Sequence, residues 1–248
     1  MNSEAVVQHL VGWLKTEVEK AGALGITVGV SGGVDSAVAA VIAQKAFPDD
    51  IMALFLPCES DIVDRVHSRI LFERFNIRNR VIDLDNAYRL LATQFESYLK
   101  LEGPEGRLLR ANIKARLRMI ALYFSAQARH YLVLGTSNRS EMSVGYATKH
   151  GDAGVDLQIL GDLLKKEVFE LANYLEIPEQ IINKVPSGGL WMGQTDEAEM
   201  GISYQELDKY LESKEGSPEL TEKIERMIKA SEHKRRMPAI AIVPDELK

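Results

Sequence analysis

One cysteine, Cys58, stands among 248 residues. No intramolecular disulfide can form and no cysteine cluster can hold zinc, so a reducing, cytoplasmic setting fits. A basic surplus is also missing: 30 Lys and Arg face 36 Asp and Glu, for a formal charge of -6. Nucleic-acid binders usually show the opposite balance, which weighs against that class. No apolar run is long enough to span a bilayer, and Met1 to Trp13 is amphipathic without the apolar core of a signal peptide. Neither nucleic acid nor membrane is therefore an expected partner. Internal repeats, low-complexity segments and composition breaks are absent too, so one domain over 1–248 is expected. A chain of this length can bury a sizeable core.

What is present alternates in period. Val6, Val7, Leu10, Val11, Leu14 and Val18 recur at helical spacing after Ser3, a candidate cap. This stripe reads equally as core or as a subunit interface. Ile26-Thr27-Val28, Ile51 to Pro57, Arg80 to Leu84 and Tyr131 to Gly135 read as strands. Between them Ala37 to Ala43, Ile62 to Phe75, Ala87 to Leu99 (capped by Asp85) and Leu108 to Arg129 read as helices, with a loop at Glu102 to Gly106. Alternating helix and strand predicts a doubly wound, mainly parallel α/β sheet, Rossmann-like, with helices on both faces. Ligands in such sheets lie beyond the carboxyl ends of the strands. Ser143 to Leu160 and Pro186 to Gly201 break the pattern as long polar stretches, the kind that form lids and binding loops. A helical C-terminal part follows, opened by the capping box Ser203 to Glu206 and by Ser217-Pro218.

The run Gly29-Val30-Ser31-Gly32-Gly33-Val34-Asp35-Ser36 joins the first strand to a helix. Glycines let the backbone approach a phosphate, and the first helical N–H groups point at it. No Gly-Lys-Ser/Thr ending follows, so this is not the usual nucleotide P-loop. The Ser31 and Ser36 hydroxyls can add donors. Asp35 would repel a phosphate; it either favours the helix start or holds Mg²⁺. Glu141, in Gly135 to Glu141 after the fourth strand, is a second candidate oxygen ligand for a hard cation.

The wording Ser31 to Ser36 resembles the pyrophosphate loop of the ATP pyrophosphatases. With Asn112 to Met119, Gly145 to Asp156 and Glu232 to Pro238, nearly the full chain is similar to the ammonia-dependent NAD synthetases. The resemblance implies a ligase of NAD biosynthesis that makes a carbon–nitrogen bond. Such an enzyme amidates deamido-NAD with ammonia at the expense of ATP, through an acyl adenylate. It releases AMP and pyrophosphate in the final step of NAD biosynthesis. The resemblance also implies roles: Gly29, Val30, Ser31, Gly32, Gly33, Val34, Asp35, Ser36, Thr136, Lys165 and Ser187 for ATP. Ser187 keeps the hydroxyl where related sequences often carry threonine. Arg116, Lys149, Asp156, His233 and Lys234 are implied for deamido-NAD, and Asp35 and Glu141 for Mg²⁺. Asp35, Lys149 and Asp156 are the catalytic candidates, with Asp156 as a hypothetical proton acceptor. A homodimer with the dinucleotide between subunits is implied as well.

Alternatives remain at the level of residues. Arg116, with Lys114 and Arg118 nearby, is either a fork for a pyrophosphate or carboxylate, or a solvated basic face. Lys149 lies in a polar loop where an ammonium can follow developing charge. One of Lys165 and Lys166 is expected to be solvated, and Glu232 to Arg236 reads equally as a charged helix end. Cys58 reads as a small buried residue, which leaves no nucleophile for glutamine hydrolysis, so free ammonia or ammonia from a separate subunit is the expected nitrogen source. Pro57 to Asp61 departs from the family's wording and carries no expected site residue. Rival readings are a GMP synthetase ATPase subunit, a tRNA thiolation enzyme and a non-catalytic nucleotide-binding regulator; missing cysteine pairs and the acidic balance speak against thiolation.

Overall fold

The computed structural model describes residues 1–97, 99 and 103–248. In chain order the elements are α1 Ser3–Lys20, β1 Gly25–Gly29, α2 Val34–Ala46, β2 Ile51–Phe55, α3 Ile62–Phe75, β3 Asn79–Val81, α4 Asp85–Glu96 and α5 Gly103–Gln127. Then come β4 Tyr131–Gly135, α6 Arg139–Val144, β5 Leu157–Gln158, α7 Lys165–Tyr174, α8 Glu179–Ile182, α9 Asp196–Met200, α10 Tyr204–Ser213, α11 Pro218–Ala230 and α12 Glu232–Arg235. The sheet runs β3-β2-β1-β4-β5 with every neighbouring pair parallel.

Strand period explains the layers. Successive side chains of β2 point to opposite faces, and both faces are apolar. Ile51, Ala53 and Phe55 join α1, α2 and α7 in one core, while Met52 and Leu54 join Tyr88 of α4 and Leu117 of α5 in another. The α1 stripe is spent in the first core: Val7, Leu14 and Val18 are buried, with Leu10 and Val11 packed on them. Its buried positions are therefore core. A third core joins Val144 of α6 and Leu164 to the C-terminal helices through Tyr204, Leu207, Leu211 and Ile224.

Several boundaries differ from the sequence expectation. Asn2, not Ser3, caps α1 by accepting the Ala5 N–H. Asp85 is the first residue of α4, and its carboxylate accepts the Glu59 N–H instead. β3 is shorter than Arg80 to Leu84, although Ile82 and Leu84 still donate N–H bonds to Phe55 and Pro57 of the neighbouring strand's extension. The expected loop at Glu102 to Gly106 starts outside the described residues; Gly103 to Gly106 form the first turn of α5. The two long polar stretches contain β5 and α9. The capping box at Ser203 and the helix start at Pro218 form as the sequence predicts.

β1 lies between β2 and β4, so the chain leaves it toward opposite sides of the sheet. The connections diverge there and open a crevice at the strand ends.

Candidate active site

A cleft of about 430 Å³ opens at that switch point. Its floor is Gly29, Val30, Ser31, Gly33, Asp35 and Ser36 after β1, with Gly135, Thr136 and Glu141 after β4. Asn112, Arg118 and Met119 of α5 line one wall; Ser187 to Leu190 and Lys234 close the rim.

The glycine loop is shaped by its own serines. Ser36 Oγ accepts the Ser31 N–H at 3.1 Å and donates to the Gly33 carbonyl at 3.0 Å. Ser31 Oγ lies 3.1 Å from Ser36 Oγ and accepts the Gly33 N–H. The two hydroxyls thus hold the turn in place. Gly32 has φ +81°, and a Cβ there would come within 2.6 Å of the Asp64 carbonyl oxygen, so only glycine fits. Gly33 starts α2 without a side-chain cap, which leaves the first-turn N–H groups for an anion.

Asp35 does not cap α2. One of its oxygens accepts Asn138 Nδ2 at 2.8 Å, the other accepts Lys165 Nζ at 2.5 Å. Glu141 completes a capping box with Asn138, and its other oxygen lies 3.6 Å from the same ammonium. Burial first, and the Asp35 charge second, push the Glu141 carboxyl up to about 8. Burial works against the Lys165 ammonium, but Asp35 and Glu141 outweigh it and raise its pKa above the usual value. Lys165 sits behind the floor at 2% exposure and is placed there by its backbone, whose N–H donates to Ser140 Oγ. Asp208 of α10 accepts the next N–H, from Lys166. Lys166 itself points outward to Glu212, so it is the solvated member of the pair.

Two carboxylates on one side of a polyphosphate loop suit a hard cation that completes its shell with phosphate oxygen and water. Among the described residues no group of three acidic, His or Cys ligands is poised for a metal.

Of the second expected set only Lys234 lines the cleft; Arg116, Lys149 and His233 gather beside it through backbone contacts. Lys149 Nζ donates to the His233 carbonyl at 2.6 Å, and Arg116 Nη2 to the Lys149 carbonyl at 3.3 Å. Lys234 Nζ donates to the carbonyls of Gly145 and Ala147, and burial lowers its pKa against the pull of Asp152. Asp156 behaves differently from expectation. Its oxygens accept the Val133 N–H at 2.8 Å and the Tyr123 hydroxyl at 3.0 Å, and it is not among the residues that line the cleft. Burial and this bond push the Tyr123 phenol up to about 12. Asp152, four residues earlier, does line the cleft; its carboxylate accepts the Thr148 N–H at 2.8 Å, and burial raises its pKa against its hydrogen bonds to Thr148 and the pull of Lys234.

Sequence reading missed the inward face of α5. Lys114 donates to the Leu190 carbonyl at 2.8 Å and pairs with Glu59; Arg118 donates to Leu56 O, Ser60 Oγ and Gly189 O. Residues i and i+4 share a helix face and i+2 lies opposite, so Arg116 is exposed while its neighbours are not. Helical spacing was the available signal. Ser60, in the stretch from which no site residue was expected, lines the cleft as well.

A parallel α/β sheet with a glycine loop and paired carboxylates at its switch point defines a class: nucleotide-activating enzymes that grip a polyphosphate at strand ends. A family model described as NAD synthase matches residues 6–238. The chain belongs to the NAD synthase family. It is 68% identical over 248 residues to the NH(3)-dependent NAD(+) synthetase of Syntrophomonas wolfei, covering all of both chains. Its fold is similar to the NMN synthetase of Francisella tularensis, with TM-score 0.90 and 38% identity over 99% of both chains. It is also similar to the NH3-dependent NAD synthetase of Campylobacter jejuni, with TM-score 0.79 and 25% identity over 98% of this chain and 100% of that one.

Proposed function

We propose that this chain is an ammonia-dependent NAD synthetase: it amidates deamido-NAD to NAD with ATP, the final step of NAD biosynthesis. The uncapped start of α2 beside Asp35 and Glu141, in a chain 68% identical to such a synthetase, carries the reading. A carboxylate is a poor electrophile, so the nicotinate oxygen first attacks the α-phosphorus of ATP and pyrophosphate leaves. Ammonia then attacks the acyl carbon and AMP leaves.

The glycine loop from Gly29 to Ser36 holds the departing pyrophosphate through backbone N–H groups, with Thr136 and Ser187 as further hydroxyls for ATP. Asp35 and Glu141 would hold Mg²⁺, which supplies charge neutralisation on the polyphosphate. Lys165 balances the two carboxylates from behind. Arg116, Lys149, His233 and Lys234 form the basic rim for the nicotinate substrate. The candidate proton acceptor for ammonium is Asp152, which lines the cleft. Asp156 then serves the substrate loop indirectly, by tying it to β4. Positioning and charge complementarity supply most of the catalysis. The chain acts as one domain, in the cytoplasm.

A homodimer is part of this reading. With the α1 stripe spent in the core, the exposed apolar residues Leu109, Ile120 and Phe124 of α5 offer the subunit face instead. Arg116 lies on the same outward side of α5, where a substrate held between subunits would meet it.

A second reading concerns the acceptor. The Francisella structure named as an NMN synthetase superposes at TM-score 0.90, against 0.79 for the Campylobacter NAD synthetase. By the same chemistry the acceptor would be nicotinate mononucleotide. Release of AMP and pyrophosphate with ammonia and each acceptor tests both readings. A higher kcat/KM for deamido-NAD supports the first, a higher value for the mononucleotide the second, and binding without AMP formation leaves a regulator.

A further inference from the structure

The C-terminal helices reach the cation pocket through one side chain. Tyr204, the first residue of α10, is 7% exposed and packs in the core formed with α6 and α11. Its hydroxyl lies 2.8 Å from Asp196 Oδ2 and 3.1 Å from Glu141 Oε1. Its ring centroid lies 4.8 Å from Lys165 Nζ. One phenol therefore contacts three charged groups from three separate elements: α6, α7 and α9.

We propose that Tyr204 is a positioning residue for the cation site, its hydroxyl orienting Glu141 and its ring covering the Lys165 ammonium. The inference rests on the reading that Asp35 and Glu141 hold the metal that accompanies ATP. The geometry shows why the residue is needed. Glu141 is fixed on one oxygen by the Asn138 N–H at 3.2 Å, which leaves its other oxygen free to rotate toward or away from Asp35. The phenol shares its one O–H proton between Asp196 at 2.8 Å and Glu141 at 3.1 Å, and so holds that oxygen in the pocket. Lys165 needs a second kind of restraint. Its ammonium has Asp35 at 2.5 Å but Glu141 only at 3.6 Å, and the ring face stabilises the remaining side of the cation without adding negative charge. Asp196 draws the phenol into place, and Tyr146 holds Asp196 in turn through a hydroxyl at 3.0 Å. Groups that orient metal ligands through one hydrogen bond commonly matter to metal affinity as much as a weak ligand does.

Tyr204→Phe removes the hydroxyl and keeps the ring. Mn²⁺ serves as the probe, titrated by electron paramagnetic resonance into the protein loaded with a non-hydrolysable ATP analogue. The expected result is a dissociation constant for Mn²⁺ raised about tenfold, with analogue affinity in the absence of metal within twofold of wild type. Steady-state assays should then show a higher half-saturating Mg²⁺ concentration and a smaller change in kcat at saturating metal. In a Glu141→Gln background the same Tyr204 change should add no further loss. An unchanged Mn²⁺ constant, or equal losses with and without metal, overturns the proposal. Asp35→Asn distinguishes the underlying reading: if Asp35→Asn weakens Mn²⁺ and Tyr204→Phe does not, the metal site stands and Tyr204 has no part in it. If neither weakens Mn²⁺, the metal reading falls and takes the proposal with it. Melting curves check folding, and Tyr204→Met, which also lacks the hydroxyl, is the substitute should Phe not fold; its Mn²⁺ constant is judged by the same criteria.

Discussion

The ammonium of Lys165 lies 2.5 Å from Oδ2 of Asp35, directly behind the glycine loop. The pair joins the first turn of α2 to the first residue of α7 across the sheet's switch point. A buried pair of this kind contributes little over an apolar pair of the same shape, but breaking it strands a charge. Lys165→Met should lower stability by about 3–5 kcal/mol at pH 7. Urea unfolding measures this, and Mg²⁺ with ATP should restore part of the loss by supplying the missing positive charge.

Gly32→Ala should cripple nucleotide binding. Its φ of +81° is strained for alanine, and the new Cβ would collide with the Asp64 carbonyl, which is backbone and cannot swing away. Strain of this kind costs about 1–3 kcal/mol. A calorimetric titration should show ATP affinity reduced by more than tenfold while the melting temperature falls by only a few degrees.

Asp152 and Asp156 should separate by step. Asp152→Asn removes a carboxylate that lines the cleft, so it should slow the ammonia step by about 10²-fold or more and spare adenylation. Asp156→Asn turns an amide N–H toward one of two donors, costs about 1–2 kcal/mol of stability, and should slow both steps alike. Single-turnover measurement of adenylate formation and its decay to NAD separates the outcomes. A selective loss of the second step in the Asp156 variant would return the proton acceptor to that residue.

Cys58 is buried, and that burial pushes its thiol up to about 11 against the pull of Arg118 and Lys114. The folded chain holds this proton more tightly than the unfolded one, whose thiol ionises near its ordinary value. The thiol's contribution to stability is therefore full below that ordinary value and is lost as pH rises through about 11. Unfolding free energies of wild type and Cys58→Ala, compared between pH 8 and 11, should show a steeper loss in wild type. The native thiol should react with a disulfide reagent far more slowly than the unfolded chain, and Cys58→Ala should keep ammonia-driven turnover.

Phe124 is 77% exposed on the outer face of α5, near Ile120 at 57%. Phe124→Glu should convert a species of about twice 27.7 kDa into a monomer in sedimentation. If the wild type already sediments as an active monomer, the dimer is wrong.

Strand and helix order were legible because they rest on local periods. β2 reads as apolar at every position, which in a parallel sheet means burial on both faces. The glycine loop was legible for a related reason, since its conformation depends on residues adjacent in sequence: Gly32 for the positive φ, Ser31 and Ser36 for the bonds that shape it. The rim residues were legible as a set. Their contacts were not, because Lys149 meets the backbone of His233, 84 positions away. The face of a helix is legible in principle from its spacing, but the charges of α5 alone do not say that Lys114 and Arg118 turn inward while Arg116 turns out.

The sequence by itself determined the class of fold, the anion-holding turn and which residues carry charge near the strand ends. Tertiary structure alone decided what each charge faces. Asp35 meets an ammonium 130 positions away and not its own helix start; Asp156 is spent on β4; Glu141 shares a pocket with Tyr204 from a different layer. The physical reason is range. Backbone conformation follows from neighbours a few residues apart, while the pairing and protonation of a buried group depend on whichever distant element excludes water from it.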